Sequence, residues 1–400
     1  MRAVDAYALE PMPELTQIRD LAATRPRGPV LSVLLRTDLR DPRNVNGANA
    51  WRIELRNGLR EIRAHLPEDR DERAAFERAA QEMETWAAWA GGLSPHVRGR
   101  GLARFIAPQN GLDRAYTLQL PLEETVVVWN RRPYVLPLLA IADRGRPAGI
   151  VAIDQERVRL VSWADGSAVE PENATFELWR GRWTDYAAYA DGNSQRAQQT
   201  GRHPEAFEDR ERVHREVSLA EAAVAVGERA RELEWARLLL VGDAALVARF
   251  EQALPVAAAR LVAGRMPARL AELPMAEIAA RAEPLLDELW RAEARDLTTR
   301  AHALACADEG AVVGIQATAR ALTESRVERL LVDPACIVPA ELAHDGPVVD
   351  MLDGAPPTFA AERAAELALA TGAAVTTLSR ADGGEEGLSV TGGMAALLRH

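Results

Sequence analysis

The apolar residues of this chain come in short runs, and that spacing restricts its folds more than any other feature. From residue 311 onward the pattern alternates. Ala311–Ile315, Glu328–Val332 and Ala373–Leu378 are β-rich runs, while Ala317–Ser325 and Thr358–Thr371 carry apolar residues at helical spacing. Short strands alternating with one-faced helices bury their apolar sides only by stacking helices on a small sheet. An α/β layer is therefore predicted for this end.

The rest of the chain reads as related units. Val30–Leu35 is a strand ending in a polar turn. Ala50–Leu66 is a helix on which Ile53, Leu59 and Ile62 recur, and Asp69–Ala90 is a second helix. Leu102–Ala107, Tyr116–Leu120 and Thr125–Trp129 are further strands, and Arg131-Arg132-Pro133 punctuates their end. Pro133–Ala142 is a short helix. Gly149–Ile153 and Val158–Trp163 form a hairpin about Asp154–Glu156. A long helix over Ala206–Glu234 precedes a strand at Arg237–Val241, and Asp243 caps the helix that follows. Leu285, Leu286, Leu289 and Trp290 mark one side of another long helix. One stretch departs from these rules. From Ala164 to about Glu205 the sequence is rich in Asp, Arg, Gln and Gly and keeps no apolar period. A connection of that length inside an α/β unit is usually functional or disordered, and the helix after it would carry it as a rigid arm.

Charge and chemistry exclude several function classes. Forty-eight basic residues stand against 59 acidic ones, a net charge of −11, so bulk positive charge does not hold this protein on nucleic acid, and no DNA partner is expected. A local basic surface stays open. All 48 basic residues are arginine, which rules out a phosphate-loop lysine, a Schiff base or a Ser–Lys pair. Cys306 and Cys336 form no zinc or disulfide pattern, and seven histidines include no HExxH. His203 and His214 read as solvated surface. Gly99-Arg100-Gly101 lacks the third glycine of a dinucleotide loop, and no G-x-S-x-G elbow is present. Neither a metal nor a cofactor is expected. With no secretory h-region and no apolar run near the ~20 residues of a membrane helix, a cytoplasmic protein without a membrane partner is expected.

Three collinear stretches resemble the archaeo-eukaryotic class I peptide-chain release factors, especially their bacterial relatives. RRPYVLPLLAIADRGRPAGIVAIDQERVRLVSW (131–163) is similar to the opening of their middle domain. EGAVVGIQATARALTESRVERLLVD (309–333) resembles a strand–helix–strand of their C-terminal domain. AAELALATGAAVTTLSR with GGMAALLRH (364–400) resembles that domain's ending. The resemblance implies a three-domain, release-factor-like architecture: an α+β domain over 1–130, a middle α/β domain over 131–270 and an α/β/α sandwich over 271–400. It also implies ribosome binding at the large subunit, with peptidyl-tRNA and ribosomal RNA as partners.

In that family a GGQ loop of the middle domain enters the peptidyl-transferase centre. This chain has no GGQ. Ala190-Asp191-Gly192-Asn193-Ser194-Gln195-Arg196 stands in its place, a GxxQ pattern similar to the branch that removes nascent chains from tRNA on stalled large subunits. Ester hydrolysis there needs water positioned and developing charge stabilised in a cavity the ribosome has already built. Gly192 allows backbone passage where a Cβ would clash. Gln195 offers an amide that donates and accepts without titrating. The resemblance thus implies Gln195 and Gly192 as the catalytic pair. Asn193, Ser194, Arg196, Arg180, Arg182 and Arg202 would be RNA contacts. Those four arginines against Asp185 and Asp191 leave the segment net positive, from phosphate contact or from ordinary solvated side chains. Trp179 and Trp183 either stack on bases or pack beneath the loop. Gln198 and Gln199 lie close enough to compete for Gln195's role.

The family's N-I-K-S decoding motif has no match in Asn44-Val45-Asn46-Gly47-Ala48-Asn49, so codon-independent rescue is expected rather than stop-codon reading. From Glu341 to His400, nine acidic residues face three arginines, which suits a protein partner such as a translational GTPase or ATPase. A rival reading stays open: a non-catalytic ribosome-binding or splitting factor whose release loop has degenerated.

Overall fold

The computed structural model describes residues 7–45, 49–109, 111–178, 204–378, 388 and 392–399. The chain forms two compact units, one comprising Met1–Gly145 with Trp290–His400 and the other Arg146–Leu289.

The first unit opens with α1 (Leu15–Ala23), β1 (Val30–Arg36), α2 (Ala50–His65), α3 (Arg70–Ala90), α4 (Pro95–Arg98), β2 (Gly101–Ala107), β3 (Leu112–Leu118), β4 (Val126–Asn130) and α5 (Leu136–Arg144). Its sheet, ordered β3-β2-β1-β4, is antiparallel throughout, giving the expected α+β layer. Side chains alternate along β1, so Leu31, Val33 and Leu35 share one face. They pack against Trp51, Leu55 and Leu59 of α2 and Phe76, Met83 and Trp86 of α3. Asp69 starts α3 as the sequence predicts, its carboxylate accepting the N–H groups of Asp71 at 2.8 Å and Glu72 at 2.9 Å. On α2 the burial differs from expectation: Ile53 is exposed. The buried stripe runs through Trp51, Leu55 and Leu59 at i, i+4 spacing, and Ile53 lies off it. β3 begins four residues earlier than the sequence suggests. It is an edge strand, so Asp113 and Arg114 sit in it without burial, and Asp113 pairs with Arg104 at 2.7 Å.

The second unit contains β5 (Ala148–Ile153), β6 (Arg157–Ala164), β7 (Ser167–Val169), β8 (Thr175–Glu177), α6 (Pro204–Glu232), β9 (Arg237–Gly242), α7 (Ala244–Ala253), α8 (Val256–Ala259), β10 (Val262–Met266) and the first half of α9 (Met275–Cys306). Its sheet has the order β10-β9-β5-β6-β7, with β8 also paired to β6. β5, β9 and β10 are parallel neighbours, while β5–β6 is the predicted antiparallel hairpin. Asp243 caps α7 as expected, accepting from Ala245 N–H at 2.9 Å.

The first unit resumes on α9 and continues through β11 (Ala311–Val313), α10 (Ile315–Thr323), β12 (Val327–Val332), α11 (Gly346–Leu352), α12 (Ala360–Ala370), β13 (Ala374–Thr377) and β14 (Met394–Leu398). The sheet order is β11-β14-β12-β13. Leu331, Ala395 and Leu397 pack on Ala294 and Ala301 of α9. Leu330 and Val332 point the other way, toward the side where α10 and α12 lie, so the sheet is a sandwich. β14 is the one central strand the sequence did not announce. Met-Ala-Ala-Leu-Leu has no β-branched residue, yet it pairs antiparallel with β11 and β12 at once. The fold class is α/β, as the alternation predicts.

Within this unit, α12 is tied to the chain entering α5. Glu362 accepts the N–H groups of Val135 at 2.8 Å and Leu136 at 3.1 Å, so a distant carboxylate caps a helix whose own cap position is a valine. Arg132 binds Glu366 at 2.6 Å and Asp353 at 2.5 Å, and Arg363 pairs with Glu366 as well. Two of the nine acidic residues after Glu341, Glu362 and Glu366, are thus core residues. The acidic count overstates the negative charge this end shows to a partner.

Candidate functional site

The segment singled out by the sequence joins β8 to α6. Residues 179–203 lie outside the described residues, and with them Gly192, Gln195, Asn193, Ser194, Arg196, Arg180, Arg182, Arg202, Trp179 and Trp183. The described structure gives the frame on either side.

On the approach side, Asp154 locks the β5–β6 turn. Its Oδ1 accepts the N–H groups of Glu156 at 2.7 Å and Arg157 at 2.8 Å, and its own N–H bonds Arg157 O at 3.0 Å. The chain then reverses at Asp165–Gly166, where φ of 50° and 82° matches a tight two-residue hairpin turn. β7 and β8 return along β6, and Phe176 sits opposite Val158. The stretch expected to be irregular from Ala164 is therefore ordered into two short strands up to Glu177. Sequence periodicity missed them because each is three residues long. Leu178, the last described residue, is 1% exposed within the core, and its N–H bonds Glu156 O at 2.7 Å.

On the return side, α6 begins at Pro204, as the rigid-arm expectation requires. Leu219, Ala222, Ala223, Val226 and Ala230 line its buried face, at spacings of three, one, three and four residues. Gly227 lets the helix approach α8: a Cβ there would come within 2.9 Å of Pro255 Cγ. Arg229 binds Glu172 O at 2.8 Å, joining the helix to the loop before β8. Arg159 fixes the same loop from the sheet. Its Nε pairs with Glu170 at 2.8 Å, holding that carboxyl below its ordinary range, and its Nη1 reaches Leu273 O at 2.5 Å. Burial pushes Asp165 up to about 6. Both ends of the candidate segment are therefore attached to one packed sheet.

At the tip of the other unit, Asn44 is buried in a 3-10 turn (Pro42–Asn44) and donates to Arg36 O at 2.9 Å and Asp38 O at 3.1 Å. Its amide serves the turn. Asn46 to Ala48 lie outside the described residues. Among the described residues, no helix is long and apolar enough to cross a membrane, and no group of three His, Cys, Asp or Glu residues could hold a metal ion.

Comparison with known proteins agrees with the resemblance. Residues 133–285 match the model of the Bacterial archaeo-eukaryotic release factor family 10. This span contains the hairpin, both loop anchors and the whole of α6, and it includes the 131–163 stretch from Pro133 onward, so the release-factor resemblance read from those residues is borne out. The uncharacterized protein YocB of Bacillus subtilis (strain 168) is 20% identical over 219 residues, which are 54% of this chain and 79% of YocB. Among solved structures, an archaeal translation termination factor, aRF1, is 15% identical, covers 96% of each chain and has a TM-score of 0.23. A ribosome-bound archaeal Pelota model is 16% identical over 75% of this chain and 78% of that one, with a TM-score of 0.39.

Proposed function

We propose that this protein is a codon-independent ribosome-rescue factor that hydrolyses the ester of peptidyl-tRNA on stalled ribosomes or large subunits. The observation that carries the reading is the position of the GxxQ segment. It falls inside the span matching the release-factor family model, between Leu178 in the sheet core and a 29-residue helix. Such a frame suits a loop that must be carried into an RNA cavity. Gly192 and Gln195 are the catalytic pair: the glycine lets the backbone pass between nucleotides, and the glutamine amide orients water and stabilises the developing oxyanion. Arg180, Arg182, Arg196 and Arg202, with Asn193 and Ser194, contact ribosomal RNA. The partners are the large subunit and peptidyl-tRNA.

One observation favours a second reading. The sequence has no GGQ, as expected of a factor that binds ribosomes or helps split them without hydrolysis. Ribosome co-sedimentation and peptide release, measured on wild type, Gln195→Ala and Gly192→Val, separate the two. A hydrolase releases peptide only as wild type, with all three still bound. A non-catalytic factor binds in all three forms and releases in none.

A further inference from the structure

We propose that the N-terminal α+β layer carries a phosphate-binding site built on Arg98 and Arg52. This inference does not depend on the GxxQ segment. Buried arginines elsewhere in the same unit face carboxylates: Arg104 holds Asp113 through two bonds of 2.9 and 2.7 Å, and Arg363 holds Glu366 and Asp353. Arg98, at the end of α4, is different. It is only 6% exposed, its Nε is buried with no hydrogen-bond partner, and no carboxylate pairs with it among the described residues.

The charge that does reach Arg98 is another cation. Burial and then Arg52 push the Arg98 pKa below its ordinary value, but a guanidinium does not discharge at any physiological pH. Arg52 is under-matched too. Its Nε has no partner, its Nη2 reaches Ala88 O only at 3.5 Å, and its guanidinium lies 5.1 Å from the Trp51 ring centre. A Cβ on Gly91 would fall 1.6 Å from Arg52 Nη2, so this placement needs the glycine. Beside it opens a pocket of about 320 Å³ lined by Arg52, Leu55, Arg56, Glu84, Ala87 and Ala88.

Three arginines and one glutamate make this corner positive in a chain of net charge −11. A buried cation with no counter-charge is costly, and two neighbouring cations more so, until an anion joins them. A phosphate suits the pair better than a carboxylate, because it presents several oxygens to two planar donor forks and carries up to two charges. The phosphate belongs either to an RNA backbone or to a free phosphate or nucleotide.

The test uses the full chain with Arg98→Met, Arg52→Gln and, as a surface control, Arg249→Gln. Thermal midpoints are followed against inorganic phosphate with chloride at matched ionic strength. Binding of labelled single-stranded and duplex RNA is measured by anisotropy. We expect phosphate to raise the wild-type and Arg249→Gln midpoints. Arg98→Met and Arg52→Gln should each lose at least tenfold in affinity, and Arg98→Met should be no less stable than wild type in phosphate-free buffer. RNA binding that falls tenfold in the same two variants assigns the phosphate to a nucleic-acid backbone; a response to phosphate alone assigns it to a free ligand. The proposal is overturned if wild type responds to neither, or if both variants respond like wild type. It is also overturned if Arg98→Met unfolds while Arg52→Gln keeps full affinity, since Arg98 would then be a structural residue.

Discussion

Replacing Glu362 by glutamine changes how stability depends on pH. Glu362 is 2% exposed, and burial raises its pKa to about 8, against the pull of the Val135 and Leu136 N–H groups. Its model value is 4.5, so between pH 4.5 and 8 the folded chain holds a proton that the unfolded chain releases. Wild-type stability therefore falls as pH rises through that window and levels off above it. At about 1.4 kcal/mol per unit of pKa, the change approaches roughly 5 kcal/mol as an upper bound. The neighbouring Arg132, Arg363, Glu366 and Asp353 form ion pairs, and Tyr134 is pushed further above its ordinary range by burial, so none of these groups should titrate there. Glutamine does not titrate, but its NH₂ group faces one of the two backbone N–H groups and leaves it unpaired, costing about 1–3 kcal/mol. Urea midpoints from pH 5 to 9 should show Glu362→Gln weaker than wild type at pH 5, with the gap closing or reversing by pH 9. Parallel curves for the two proteins would refute the reasoning and mean that the α5 N-terminus keeps Glu362 ionised throughout.

Other expectations follow from single contacts. Gly149→Ala would place a Cβ 2.3 Å from Trp235 Cε3, so overpacking should destabilise the middle unit by about 1–3 kcal/mol in urea unfolding. Asp243→Ala removes the cap of α7 and should cost about 1 kcal/mol, while Asp243→Asn should retain most of that stability. Asn44→Ala strips the Arg36 and Asp38 carbonyls of their donor and should lower the thermal midpoint; an unchanged midpoint would mean water replaces the amide.

Local chemistry was legible in the sequence, whereas long-range pairing was not. Asp69 and Asp243 read as caps because a cap is decided within three residues of itself. The β5–β6 hairpin read correctly from two apolar runs and an Asp-led turn. Ile53 misled because one isoleucine near a helical period does not fix which face is buried; Trp51, Leu55 and Leu59 decide that together. The Glu362 cap on α5 joins residues 227 and 226 positions apart, and the Arg98–Arg52 pair depends on how α4 lies against α2, so neither leaves a local signal. The candidate loop is the reverse case. Its residues were nominated by order and resemblance, and the described fold supplies its two anchors.

The central claim is that Gln195 and Gly192 act on the peptidyl-tRNA ester. The most direct measurement is single-turnover release of labelled peptide from large subunits carrying peptidyl-tRNA, by wild type and by Gln195→Ala. If Gln195 supplies an oxyanion-directed donor, the variant should release about 10²–10³-fold more slowly while binding the particle equally well. Equal rates from the two proteins would contradict the assignment, and binding with no release from either would make this a factor that occupies the ribosome without hydrolysing its substrate.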